Sequence, residues 1–234
     1  MATFDALYLA RGWLSVAVAS ADDSAHPQLH RTVSIEKFTD GLRLVATDSY
    51  ILLRSWVPSI GKEDNPEPDL DEAPIATAIA IDEHRRAQGF LAHLLKLATV
   101  EGADVIEVDV GLGVVDVGEG SALSFEGLES RWVTIDQRGR ERLRLGVYDG
   151  EYPHWRGLLP AGTLRQRTDA IALHPDRLAQ LAKLAKVQPG RAIRCRFTGH
   201  DGLVLIEVDA GEPAVTGGVM PVRVLWENEI AGAA

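Results

Sequence analysis

His26 and His30 stand four residues apart, the spacing at which successive turns of a helix could present two imidazoles to one metal ion. Pro27 lies between them and disfavours that helix, so loop and strand histidines are the plainer reading. Glu107 and Asp109 alternate along a β-type run that Asp104 opens. That spacing puts both carboxylates on one strand face, where they could share a cation, although solvent-facing strand acids are far commoner. The stretch GLGVVDVGEG (residues 111–120) is rich in glycine but lacks the Lys and Ser/Thr of a phosphate loop. No GxSxG or HExxH motif occurs. Cys195 is the only cysteine, which rules out an intrachain disulfide and a multi-cysteine metal site. His154 and Trp155 could stack on a base, but a small packed helix explains them more simply. No catalytic residue, metal ligand or cofactor is assigned, and the chain is not read as an enzyme.

The elements that would position any site follow from patterning. The 234 residues carry a formal charge of −10, which argues against a general nucleic-acid coat but leaves room for a local basic surface. No apolar run approaches the roughly 20 residues of a membrane span, and no signal peptide is framed, so a cytoplasmic protein is expected. A helix-compatible pattern runs from Phe4 to Ser20. Strand signals follow at 30–36, 42–46 and 50–57. The acidic stretch GKEDNPEPDLDEA (61–73) reads as a solvated linker within 58–74. A strand at 75–81 precedes Asp82 as N-cap and a helix at 83–98. Further strands are expected at 104–110, 113–117, 123–125, 132–135 and 142–147. The last third repeats the plan: a strand at 169–173, Pro175 opening a helix to about Val187, then strands at 192–197, 203–208 and 218–225. The first part, helix then three strands, is the same unit without its leading strand. A repeated βαβββ unit predicts an α+β architecture with helices on one face and antiparallel sheets on the other.

The helices segregate charge. On 83–98, Ala87, Phe90, Leu91, Leu94 and Ala98 share one face, with Arg85, Arg86, His93 and Lys96 opposite. On 175–187, Leu178, Leu181, Ala182, Leu184 and Ala185 are expected inward. Gln180, Lys183 and Lys186 are expected outward, with Arg177 on the border. These are ordinary solvated faces unless both helices face the same way, when they become a phosphate-binding surface.

The stretch GLRLVATDSYILL (41–53) interrupts two apolar strands with Thr-Asp-Ser, which by itself predicts a β-turn. It also resembles the LxLVATDxxRLA signature of bacterial DNA polymerase sliding clamps, the β-subunit processivity clamps. Four other stretches are similar to that family in its own order. They are ASADDSAHPQLHRTV (19–33), YDGEYPHWRGLLP (148–160), LHPDRLAQLAKLAK (173–186) and VMPVRV (219–224). The resemblance covers roughly 4–56, 75–118 and 148–225, while the acidic linker and 119–147 match poorly. It implies a DNA-clamp fold in a shortened relative: a clamp-like domain at 1–160, with 119–147 as a poorly matched insert, and a C-terminal half-domain at 161–234.

The resemblance also implies a hydrophobic cleft for a short peptide of polymerases and repair proteins. Its positions here are Thr47, Ser49, Tyr50, Ile51 and Leu52; Pro153, Gly157 and Leu158; and Val219, Met220, Pro221, Val222 and Arg223. The family usually has arginine where this chain has Ile51 and Gly157, so two charge-assisted contacts to a peptide are missing. DNA-facing positions would be Arg11, Arg85, Arg86, Lys96, Arg177, Lys183 and Lys186. The implied function is a processivity factor that holds duplex DNA without sequence preference in a homo-oligomeric ring. Four chains of three units would close it, or three if 119–160 forms a further half-domain, and a clamp loader would be a partner. The alternative is a clamp-derived peptide-binding module that regulates, competes or scaffolds without encircling DNA.

Overall fold

The computed structural model describes residues 2–21, 28–64, 66–69, 75–79, 81–100, 107–115, 130–137, 141–148, 152–159, 171–188, 190–199, 202–208 and 213–222. Asp5 sets the first boundary. Its carboxylate accepts from the N–H groups of Leu7 (2.7 Å) and Tyr8 (3.3 Å), which starts helix α1 (Ala6–Ala17) one residue later. The residues before it form strand β1 (Ala2–Asp5), with Phe4 fully buried. The first unit therefore has its leading strand. Apolar residues on both sides of the Asp5 cap let the sequence pattern run through it.

The unit continues through a 3-10 turn (Gln28–Arg31) into β2 (Ser34–Lys37), β3 (Gly41–Thr47) and β4 (Ile51–Pro58). The strand expected at 30–36 thus starts later, after the turn. A second unit follows: β5 (Ile75–Ile79), α2 (Ile81–Val100), β6 (Glu107–Val115), β7 (Ser130–Gln137) and β8 (Glu141–Tyr148). Asp82 lies inside α2 rather than capping it. The two short strands expected at 104–110 and 113–117 are one strand, because Gly111 and Gly113 keep extended backbone within the ladder to β7. Much of the supposed insert at 119–147 is β7 and β8, which complete the second unit. This removes a further half-domain at 119–160. The strand expected at 123–125 lies outside the described residues.

The third unit has α3 (Pro175–Ala182), α4 (Leu184–Val187), β9 (Ile193–Arg196), β10 (Val204–Val208) and β11 (Val215–Val219). Residues 171–174 are not in a ladder, although Ala172 accepts a bond from the N–H of Val222 (2.8 Å). The last strand ends at Val219, not Leu225; 220–222 continue without a ladder, and residues from 223 lie outside the described ones.

All strands among the described residues join one antiparallel sheet in the order β1-β6-β7-β8-β5-β2-β3-β4-β11-β10-β9. The first two units interlock reciprocally: β1 of the first pairs with β6 of the second, and β5 of the second pairs with β2 of the first. The β4–β11 ladder then attaches the third unit. Helix α1 packs on β3, β4 and β11, α2 packs on β8, and α1 touches both α2 and α4, so the helices form one layer on one sheet face. Inward side chains such as Leu44, Leu53, Val204 and Ile206 meet Leu9, Trp13, Leu91 and Leu184 in one core. The expected apolar face of α2 is buried at Ala87, Phe90, Leu91 and Leu94. On α3 and α4 only Leu181 and Leu184 are buried, while Leu178, Ala182 and Ala185 are exposed and Gln180 is half-buried. These two helices touch a neighbour along one narrow line, so their apolar stripe outruns the contact.

Candidate functional site

The β3–β4 turn is built by its own side chains. The Oδ1 of Asp48 accepts from the N–H groups of Tyr50 (2.8 Å) and Ile51 (2.7 Å), and the Oγ1 of Thr47 accepts from Ser49 (3.1 Å). Ser49 has φ +80°, a left-handed conformation that costs an L-residue energy and that these bonds hold in place. The other Asp48 oxygen accepts from Arg177 (2.7 Å) and Gln180 (3.3 Å) of α3, and Gln180 also donates to the Val18 carbonyl (2.7 Å). The Arg177 guanidinium stacks over the Tyr50 ring at 4.2 Å. Thr-Asp-Ser interrupts the strands because buried Asp48 both forms the turn and bolts the third unit to the first. Arg177, expected to face DNA, is committed to this joint.

The segment after β11 passes this turn, with Met220 donating its N–H to the Tyr50 carbonyl (2.8 Å). It arrives there through Gly217 and Gly218. A Cβ on Gly217 would sit 1.9 Å from the Leu52 carbonyl oxygen, so only glycine allows β11 to lie this close to β4.

The connector at 152–159 lies on the opposite sheet face from the helices. Tyr152 donates to the Val45 carbonyl (3.2 Å), and burial pushes its phenol pKa up, so it stays a donor. Trp155, in a 3-10 turn (Trp155–Leu158), is buried and donates to Glu36 (3.0 Å), while Arg156 reaches the same carboxylate at 2.6 Å. Glu36 also accepts from fully buried Arg43 (3.2 Å). Arg43 in turn reaches Glu67 at 2.6 Å and donates to the carbonyls of Pro68 and Asp69. The acidic segment is therefore not a fully solvated linker; its 67–69 portion is folded onto this arginine. Arg54, whose pKa burial lowers, also pairs with Glu67 (3.4 Å).

These anchored segments leave large apolar side chains exposed. Tyr50, Leu158 (54% exposed), Met220 (50%) and Val222 are large side chains left open on the turn, the connector and the segment after β11. Leu52 lies beneath, packed with Val45 and Trp155 and touched by Tyr152 and Leu159. An open hollow of about 220 Å3 lies beside Leu159, lined also by Arg54, Arg196, Leu205, Glu207 and Thr216, and by none of those four exposed side chains. Of the residues expected in the cleft, Ile51 and Val219 are wholly buried in the core on the helix side and cannot line it. Thr47 is buried as a turn acceptor, Pro153 and Pro221 are half-buried, and Ser49 and Gly157 are exposed. Arg223 lies outside the described residues. Sequence reasoning read Asp48 as a turn residue but not as the tie to α3, and missed Glu36, Arg43 and Arg156.

On the helix layer, Arg85, Arg86, Lys96, Lys183 and Lys186 are exposed and Arg11 is half-buried. Arg86 pairs with Glu83 at 2.6 Å. Among the described residues no three His, Cys, Asp or Glu side chains gather to hold a metal ion, and no helix is long and apolar enough to cross a membrane. His30 bonds the Ser49 hydroxyl (3.0 Å), while His26 lies outside the described residues.

No protein-family model matches the sequence, and no curated protein matches it. Solved structures do. A DnaN sliding clamp from Pseudomonas aeruginosa bound to griselimycin is similar over 95% of this chain at 15% identity, with a TM-score of 0.60. DNA polymerase sliding clamps from Caulobacter crescentus (16% identity over 95% of this chain, TM-score 0.56) and Bacillus subtilis (14% over 96%, 0.54) are similar too. The chain spans about 65% of the length of each of these proteins. At such identities the likeness establishes the sliding-clamp fold.

Proposed function

We propose that this chain, which has the sliding-clamp fold, is a clamp-type accessory protein rather than an enzyme. It captures a short extended peptide of a polymerase or repair protein on the surface formed by Tyr50, Leu158, Met220 and Val222. It also holds duplex DNA against its helix layer within a ring of several chains. The observation that carries this reading is the set of four exposed apolar side chains on three separately anchored segments. An isolated exposed leucine is ordinary, but several large ones on anchored backbone form a docking surface. Met220 adds an adaptable thioether wall. The helix layer would meet phosphates through exposed Arg85, Lys96, Lys183 and Lys186, contacts that carry no sequence information and permit sliding.

Replacing Met220 by Asp tests the cleft. Met220 is half-exposed, so the fold should stand, and affinity for a fluorescent clamp-binding peptide should fall by at least about tenfold, roughly 1.4 kcal/mol. Unchanged affinity would remove the cleft. Leu52 is the wrong probe, because it is buried and a charge there would disturb the connector.

A second reading, a peptide-binding adaptor that does not encircle DNA, draws support from the fate of two expected DNA contacts. Arg177 is tied to Asp48 and Arg86 to Glu83. Retention on circular DNA that disappears on linearisation separates the two, since only an encircling ring slides off an end.

A further inference from the structure

In the first two units, the strand that follows each helix is covered on both sides. Strand β2 lies between β3 and the leading strand β5 of the other unit, and Val33 and Ile35, on its helix-facing side, are 0% exposed. Strand β6 is covered in the same way by β1. The equivalent strand of the third unit is β9, and it ends the sheet, with no partner beyond β10 among the described residues. Its helix-facing positions are set by the register Cys195 opposite Ile206 and Ile193 opposite Val208, both inward on β10. There Ile193 is 37% exposed, Cys195 is exposed and Phe197, two residues on, is 38% exposed. Leu178, Ala182 and Ala185 continue this open apolar face along α3 and α4.

We infer that a second copy of this chain covers that face: two third units pair as the first and second units do within one chain. The internal pairing supplies the template and the register. Phe4, two residues before α1, stands opposite Val108 of β6. Ile79, two residues before α2, donates to the carbonyl of Val33 (3.1 Å) just before β2. Leu173 is two residues before Pro175. The same rule sets Leu173 of one copy opposite Ile193 of the other, and Ile171 opposite Cys195, with the α3–α4 stripes packed together as α1 packs on α2. The contact is isologous, so each copy contributes both the edge strand and the segment that covers it. Such pairing also removes an exposed strand edge, which is otherwise an aggregation hazard. The inference rests on the ring reading for its purpose, not for its geometry.

Light scattering after gel filtration should return an even multiple of the 25.4 kDa chain mass. The Leu178→Glu, Ala185→Glu double variant should be monomeric; both positions are exposed within one chain, so it should keep the wild-type circular dichroism spectrum. Under mild oxidation Ile171→Cys should form an intermolecular disulfide with Cys195 and run as a covalent dimer, which adding Cys195→Ser should abolish. A monomeric wild-type protein, or a dimer that survives the double variant and gives no Ile171→Cys cross-link, would overturn the proposal. A dimer that matches all three results yet is not retained on circular DNA would leave this interface standing and remove the ring.

Discussion

The outer sheet face and the helix layer carry the same kind of side chain and use it oppositely. On the outer face Arg43, Arg54 and Arg156 each meet a carboxylate, Glu36 or Glu67, and Arg43 is wholly buried between the Phe38 and Trp155 rings. On the helix layer Arg85, Lys96 and Lys186 stand exposed to solvent. A guanidinium taken out of water and paired fixes geometry, because its fork and its acceptors admit few arrangements. An exposed ammonium fixes nothing, but it can meet a passing phosphate. Under the proposed function, the difference separates a face that would position a binding surface from a face that would slide.

The largest expected effect breaks the outer face. Replacing Arg43 by Ala leaves Glu36 buried beside one remaining arginine, and losing one member of a buried ion pair costs about 3–5 kcal/mol. Urea denaturation should show that loss. Replacing Glu36 by Gln and Arg43 by Met together should cost less than Arg43→Ala alone, since no fully buried charge is left unpaired: Arg156 is partly solvated and Glu67 keeps Arg54. A cost below about 1 kcal/mol for Arg43→Ala would mean the connector is held by apolar packing instead.

Next is the joint between units. Asp48→Ala removes two main-chain acceptor bonds in the turn and the buried partner of Arg177. Hydrogen bonds to a buried charge are worth about 1.5–3 kcal/mol each in the best cases, so a loss of about 2–4 kcal/mol is expected in the same denaturation assay. Arg177→Ala keeps the turn bonds but leaves the buried carboxylate with the Gln180 amide and no cation, so a loss of the same order is expected. A cost below about 1 kcal/mol for Arg177→Ala would mean that the turn bonds and Gln180, rather than the ion pair, hold the joint.

These joints also show what could be read in the chain. The repeated βαβββ plan was legible because helix and strand periods differ and Pro175 and the acidic stretch punctuate them. The helix layer's exposed bases were legible on α2, where a full amphipathic face meets a broad core. They were misjudged on α3, where a border residue, Arg177, turned inward to an acid 129 positions away in sequence. No local pattern reports such a pairing. The same holds for Glu36, which looked like a strand-end acid and is the hub that Arg43, Trp155 and Arg156 share. Strand β1 was hidden for a different reason: four residues are too few to show a period of two.

Charge reversal on the other face should leave stability alone. Lys96 and Lys183 are exposed, so changing both to Glu should keep the melting temperature within a degree or two of wild type while weakening retention on DNA. The milder Lys→Gln pair should lower the slope of log K against log salt by roughly 0.9 for each phosphate no longer neutralised. Unchanged retention in the Glu pair would mean the helix layer is only a solvated face.

The smallest effect sharpens the boundary between the two faces. Arg86 sits on the helix layer but is paired with Glu83 three residues back at 2.6 Å, as the outer-face arginines are paired. Its side chain is 59% exposed, and helical pairs three residues apart are worth only about 0.2–0.5 kcal/mol. Arg86→Ala should therefore barely move the unfolding midpoint. If Arg86 behaves as a helix-layer base, a phosphate can displace Glu83 at little cost. Glu83→Gln should then tighten DNA retention slightly, and Arg86→Ala should lower the salt slope by roughly 0.9. If Arg86 behaves as an outer-face arginine, neither change will alter the slope. Exposure rather than pairing decides between these outcomes, because water already screens most of the attraction to Glu83. A slope that responds to Arg86 would show that a short ion-pair distance on a solvated helix does not commit a charge, whereas a similar distance, 2.7 Å, at buried Asp48 does.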